Sequence, residues 1–331
     1  MLHHRLRTLA AFAALLAGLA LAEPRAAAAA GLAFVLNSGA ASISVLDVGQ
    51  QKELRRIPVL REPHHLALTP DHRSLLVGDT AGNTLFFLDP ATGEMQRRMT
   101  ISDPYQLQFS PDGKFLVIAG LARNQVDIYD AAGLQLLKRV PLAAMPSHMN
   151  FSPDSSVVYV SLQQTSHLAA IELKSGAVLW DRDVGKTPAG VLWHDGKLLV
   201  GIMGESGVAV VDPADGHVER RIATGRGAHV LFVPPDAKVI YVTNRVDGTI
   251  SVLDPKTLAV QRTFRVAGGP DDLDFAPDGK IWATLRFAHK IAIIDPASGQ
   301  YRTIVVGRSP HGIWLNTHDA LPGRIALGEP R

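Results

Sequence analysis

Short runs in which apolar and polar residues alternate recur along the chain, and each closes on an acid. They read ISVLD at 43–47, LFFLD at 85–89, VDIYD at 126–130, LAAIE at 168–172, VAVVD at 208–212, ISVLD at 250–254 and IAIID at 291–295. The acids Asp47, Asp89, Asp130, Glu172, Asp212, Asp254 and Asp295 are spaced by 42, 41, 42, 40, 42 and 41 residues. Alternation with a period of two predicts half-buried strands, and a constant longer period predicts a repeat architecture. Within one repeat, segments rich in valine, isoleucine and aromatics are separated by Pro-Asp, Asp-Pro and glycine turns. His229–Val233, Val239–Thr243, Thr249–Leu253 and Val260–Val266 read as strands a to d.

Four short antiparallel strands per repeat, seven times over, predict an all-β, seven-bladed β-propeller of four-stranded blades. The first repeat lacks a strand a, and an unmatched strand a follows the last. The expected closure therefore joins the C-terminal strand a to the N-terminal strands b, c and d, which removes two sheet edges. The expected boundaries are a signal peptide at 1–22, a flexible leader at 23–31, the propeller at 32–316 and a C-terminal tail at 317–331. Arg5 and Arg7, the apolar run Leu9–Leu21 and the small-x-small site Ala20-Leu21-Ala22 carry the signal. They predict a periplasmic or secreted protein with no membrane span after cleavage.

Composition narrows the chemistry. The formal charge is +2 and aromatics make up 6% of the residues. Neither favours nucleic acid as a partner. There is no cysteine, which removes disulfides, thiolate metal sites and covalent c-type haem attachment. The basic residues of strand d, such as Arg55, Arg97, Lys138, Arg220 and Arg262, read as protection of the outer blade edges, with docking to an anionic partner as the alternative.

Tyr241-Val242-Thr243-Asn244, followed by DGTISVLDPKT, with related phrases at Phe34–Asn37, Tyr159–Leu162 and Trp282–Leu285, resembles the YVTN-repeat family of β-propellers. The resemblance spans about 32–316. It implies an exported bacterial-type propeller and no particular reaction. Related propellers include the haem-binding domain of periplasmic nitrite reductases, from which this chain departs in blade count, and the seven-bladed lactonases, whose diagnostic motifs it lacks.

Strand a lines the channel of a propeller. Leu68, Phe109, Phe151, Trp193, Phe232, Phe275 and Leu315 take equivalent places and are expected between blades. Strict alternation then points the residues three positions earlier into the channel: His65, Gln106, His148, Gly190, His229, Asp272 and Gly312. Those one position earlier (Ala67, Gln108, Asn150, Leu192, Leu231, Asp274 and Trp314) share that phase. His65, Gln106, His148, His229 and Asp272, with Arg245 and Arg286 from the b–c loops, form the expected ligand-binding channel mouth. Imidazole binds metals and moves protons near neutral pH, so His65, His148, His229 and Asp272 form a possible transition-metal set. They come from alternate blades, far apart around the channel. The paired arginines suit a carboxylate or phosphate. A second ring is expected from His64, Tyr105, Asp271 and His311, in the inter-blade phase, and from Arg123, His167, Glu205 and His289 in loops.

No catalytic motif stands out, so the sequence favours a monomeric binding module for a small molecule or protein over an enzyme. One alternative is a lactonase-like hydrolase with His148 or His229 as general base and Arg245 or Arg286 on the substrate anion. Another is handling of a metal or a non-covalent tetrapyrrole.

Overall fold

The computed structural model describes residues 31–317; the expected signal peptide and most of the expected tail lie outside the described residues. Seven four-stranded antiparallel sheets form a ring of blades, and the one helical element among the described residues is a 3₁₀ turn at Ser38–Ala40. Blade 1 combines Leu32–Asn37, Ser42–Asp47 and Lys52–Pro58 with Pro310–Leu315 from the far end of the propeller. The strands a of blades 2 to 7 are Pro63–Leu68, Gln106–Phe109, Pro146–Phe151, Pro188–His194, Ala228–Phe232 and Pro270–Phe275.

Each sheet has two apolar faces, and each face packs on a neighbouring blade. The core is therefore divided into seven clusters, one between every consecutive pair. Phe151, Val160 and Ile171 of blade 4 meet Val117 and Ile128 of blade 3. Trp282 and Ile293 of blade 7 meet Val35, Ile313 and Leu315 of blade 1. This cluster closes the ring.

The acids that mark the repeat serve turns. Asp89 Oδ1 accepts from the amides of Ala91 and Thr92, and Asp254 Oδ1 from those of Lys256 and Thr257. Asp71, Asp112 and Asp278 do the same in a–b turns. Both kinds of turn lie on the face opposite the b–c loops, so the most visible periodic feature marks the end of the propeller away from the candidate site.

The asparagine of the YVTN phrase is a pin between strands b and c. Asn244 Nδ2 donates to Thr249 and Ser251, and Asn37 Nδ2 donates to Ser42 and Ser44. The strand-d arginines act as clamps. Arg55, Arg220 and Arg262 each donate to a backbone carbonyl in the c–d turn of the next blade, at Thr92, Thr257 and Ala297. Their role in the fold is to tie blade to blade.

Candidate functional site

The register of strand a decides what reaches the channel. In blade 2, Pro63 pairs with Asp79 and Leu66 with Val77, so three steps on strand a oppose two on strand b. The extra residue makes a β-bulge at His64-His65. The same shift occurs between Pro146 and Met149, Pro188 and Val191, Ala228 and Leu231, Pro270 and Leu273, and between Pro310 and Ile313. A bulge suspends the alternation, and two consecutive side chains reach the channel together.

Three expectations are corrected by this. His64, Tyr105, Asp271 and His311 do not form an outer ring between blades; they sit in the same cluster as His65, His148, His229 and Asp272. Blade 6 is displaced by one residue, because Ala228 pairs with Asn244 and Leu231 with Val242. His229 is therefore the counterpart of His64, and Phe232 the counterpart of Leu192 rather than of Trp193. Ala67, Leu192, Leu231 and Trp314 join inter-blade cores; strand a turns alternate residues toward its two neighbours, not toward and away from the axis.

The cluster is dense. His64 stacks on Tyr105 at 4.0 Å between centroids and lies 3.8 Å from His311. His65 is 4.6 Å from His311 and 5.4 Å from His148, and His148 is 4.9 Å from His229. The rings of His229 and His311 come within 5.9 Å. The channel is closed at this level by side chains in contact, so blades that are not neighbours do meet at the axis. Gly312 helps: a Cβ there would lie 2.9 Å from the His64 carbonyl, so only glycine lets strand a of blade 1 approach blade 2 this closely.

All five histidines are at most 2% exposed, as are Asp271 and Asp272. Arg245 and Arg286 lie above them, their side chains 17% and 22% exposed. Asp271 is the electrostatic centre of one side. Its carboxylate accepts from Arg245 Nε at 2.8 Å and also from Arg245 Nη2, from His229 Nδ1 at 2.8 Å, and from Arg286 Nη1 at 3.4 Å. With its proton on Nδ1, His229 presents Nε2 as an acceptor to Arg245 Nη2 at 2.8 Å.

Burial works to push the Asp271 carboxyl up, but Arg245, His229 and Arg286 hold it well below the usual carboxylate range. Asp272 goes the other way: burial and then the Asp271 charge raise it well above that range. Burial also lowers the histidines. His65 falls to about 3, and His229, under burial and the Arg245 charge, to about 4. Burial and neighbouring imidazoles take His64, His148 and His311 well below the ordinary value. Burial pushes Tyr105 up to about 12. The rings are neutral at physiological pH, the form in which imidazole accepts hydrogen bonds and binds metals.

Many of these groups lack partners. His64 Nδ1, His65 Nε2, His148 Nε2, both oxygens of Asp272 and both ring nitrogens of His311 are buried without a hydrogen bond. Below them, His65, Gln106, His148 and Asp272 border a cleft of about 350 Å³, counting its open end, with Asn150, Leu192 and Leu231 farther down. Gln106 Oε1 is occupied by the Met149 amide at 2.6 Å.

The remaining expected positions stay outside. Arg123 is exposed and its amide donates to Asp103. His167 pairs with Asp181 at 2.7 Å, Glu205 pairs with Arg221, and His289 occupies an exposed turn.

Fold and site together define a seven-bladed propeller with a buried histidine–aspartate hub beneath two arginines. The family model of YNCE-like beta-propellers matches residues 6–321, and the chain belongs to that family. It is 40% identical over 73 residues to the uncharacterized protein YncE of Salmonella typhimurium and 38% identical over 73 residues to that of Salmonella typhi. Each match covers 22% of this chain and 20% of the relative, so it spans about a fifth of the relative's length. Among solved structures it is similar to the dihydro-heme d1 dehydrogenase NirN in complex with DHE, with a TM-score of 0.66 and 16% identity over 88% of this chain and 76% of that one. A functionally unknown protein from Desulfotomaculum acetoxidans gives 0.73 at 14% identity, over 86% of this chain and 98% of that one. The hydrazine synthase of Kuenenia stuttgartiensis gives 0.61 at 17%, over 80% and 90%. At these identities the likeness carries the fold.

Proposed function

We propose that this chain is an exported, periplasmic binding module that holds a small ligand at the hub of its propeller. The observation that carries the proposal is the set of seven buried, unpartnered nitrogen and oxygen atoms on His64, His65, His148, Asp272 and His311. Leaving a buried polar group unpaired costs about 1–3 kcal/mol, and such groups are rare in folded proteins unless water, an ion or a ligand meets them. Their concentration at one point, supplied by four of the seven blades, favours recognition over structural accident. Export rests on the sequence of residues 1–22.

The hydrolase reading has one observation in its favour, the imidazole–carboxylate pair of His229 and Asp271. Arg245 occupies the nitrogen that a general base would use, so a binding role is preferred. A tetrapyrrole, as the NirN complex brings to mind, would need an axial histidine open to the top face, whereas these imidazoles lie under Arg245 and Arg286.

The test is native mass spectrometry and elemental analysis of protein recovered from its own periplasm. Thermal melts against metals, organic anions and haems would follow. A stoichiometric ligand whose binding is lost in His65→Ala supports the proposal. A hub that co-purifies with nothing and gains no stability from any probe would be a water-filled structural core, and the proposal would fail.

A further inference from the structure

We infer that the hub is a transition-metal site whose ligands are the imidazoles of His64, His65 and His311 and the carboxylate of Asp272. This rests on the binding-module reading above and names the class of ligand.

These four residues come from three consecutive blades: His64 and His65 from blade 2, His311 from blade 1 and Asp272 from blade 7. They line one side of the channel rather than spanning it. The three histidines offer ring nitrogens that all lie within 4.8 Å of one another. A four-coordinate ion bound at about 2.0–2.2 Å needs donor atoms roughly 3.3–3.5 Å apart. Binding requires the rings to turn so that their nitrogens close to that spacing.

The donors are free to serve. His64 Nδ1, His65 Nε2, both nitrogens of His311 and both oxygens of Asp272 have no hydrogen-bond partner. Asp272 Oδ2 is 3.5 Å from His311 Nδ1 and 3.9 Å from His65 Nδ1, so the carboxylate already sits beside two of the rings. The opposite side of the hub offers a second triad, His148, His229 and His311. Both nitrogens of His229 are engaged there, by Asp271 and Arg245, which leaves that triad one donor short.

Charge is compatible with a cation. Arg245 and Arg286 bring two positive charges and Asp271 one negative charge beside them; Asp272 gives up its proton to solvent as it takes the ion, and its carboxylate then supplies the second negative charge. Three imidazoles and one carboxylate suit Zn²⁺, Co²⁺, Ni²⁺ or Cu²⁺ and not Mg²⁺ or Ca²⁺, which prefer oxygen ligands.

The experiment titrates chelator-stripped mature protein with Co²⁺, Zn²⁺ and Cu²⁺, with Mg²⁺ as control, by calorimetry and visible absorption. One equivalent of Co²⁺ with ligand-field bands and no Mg²⁺ binding is expected. His64→Ala and His311→Ala each weaken binding at least about 100-fold, and His148→Ala changes it less than about tenfold. Should a variant fail to fold, long-range proton–nitrogen NMR of the imidazoles on the unaltered chain reads the same sites: Zn²⁺ should shift the ring nitrogens of His64, His65 and His311, and shifts confined to His148 and His229 overturn the assignment. Binding lost in His148→Ala or His229→Ala but retained in His64→Ala overturns the ligand assignment. No metal uptake by a protein that carries an organic molecule at the hub overturns the metal while the binding-module reading stands; no metal and no other ligand overturns both.

Discussion

The imidazoles of His64 and His311 lie 3.8 Å apart, although one belongs to blade 2 and the other to the last strand of the propeller. Ring closure is what brings them together. Pro310–Leu315 contributes Ile313, Trp314 and Leu315 to buried inter-blade clusters, each worth about 1.5–3 kcal/mol. A chain shortened before Pro310 forfeits a sum comparable to the whole stability of a typical domain. The expected outcome is loss of the cooperative melt in circular dichroism, with aggregation through the exposed edge of Leu32–Asn37; a cooperative melt at the native temperature would contradict this account of closure.

Acid should destabilise the protein early. His65 and His229 titrate at about 3 and about 4 in the fold, against about 6.5 when unfolded. Between those values the unfolded chain binds more protons, so stability falls as pH falls, by about 1.4 kcal/mol per pH unit for each ring. His64, His148 and His311 are lowered by burial in the same direction and steepen the loss. Melting temperatures of metal-free protein should be highest near neutrality and decline steadily from about pH 6.5 toward pH 4. A flat profile over that range would mean the rings are hydrated in solution.

Asp271→Asn removes the charge that Arg245 and Arg286 share. Breaking a buried ion pair by deleting one partner costs about 3–5 kcal/mol, and that loss is expected in urea unfolding. A loss below about 1 kcal/mol would show that the guanidiniums turn outward freely.

Gly190→Ala probes the close approach of blades 5 and 6. The added Cβ would meet Val230 Cα at 2.6 Å and the His229 carbonyl at 2.7 Å, both backbone atoms that yield only if a blade shifts. Overpacking of this kind costs about 1–3 kcal/mol, measurable by chemical denaturation. Asp89→Ala is the contrast. It deletes one of the acids that define the repeat but only two amide contacts in a turn, so about 1 kcal/mol is expected, with no change in ligand binding.

The blades were legible because period-two alternation and turn chemistry are local signals, and seven copies reinforce one another. The hub was legible only in part. Alternation pointed to His65, His148 and Asp272 but set His64, Asp271 and His311 apart, because one inserted residue reverses the phase behind it, and Tyr105 apart because it precedes the first paired residue of its strand. A signal for the bulge does exist. Proline opens the shifted segment in five of the six blades that have one, at Pro63, Pro146, Pro188, Pro270 and Pro310, and proline in a sheet favours strand starts and bulges. Blade 6 lacks it, with Ala228 in that place, and there simple spacing puts the register off by one. The unpartnered ring nitrogens and the pairing of Asp271 with both arginines depend on side chains from different blades, which no local pattern encodes.

Because strand a of the first blade is the last of the propeller's strands in chain order, six sheets and three strands of the seventh precede it in synthesis. His311 arrives with that strand. A nascent or stalled polypeptide thus lacks one wall of the hub, and the competence to bind is acquired in the same step that makes the ring continuous.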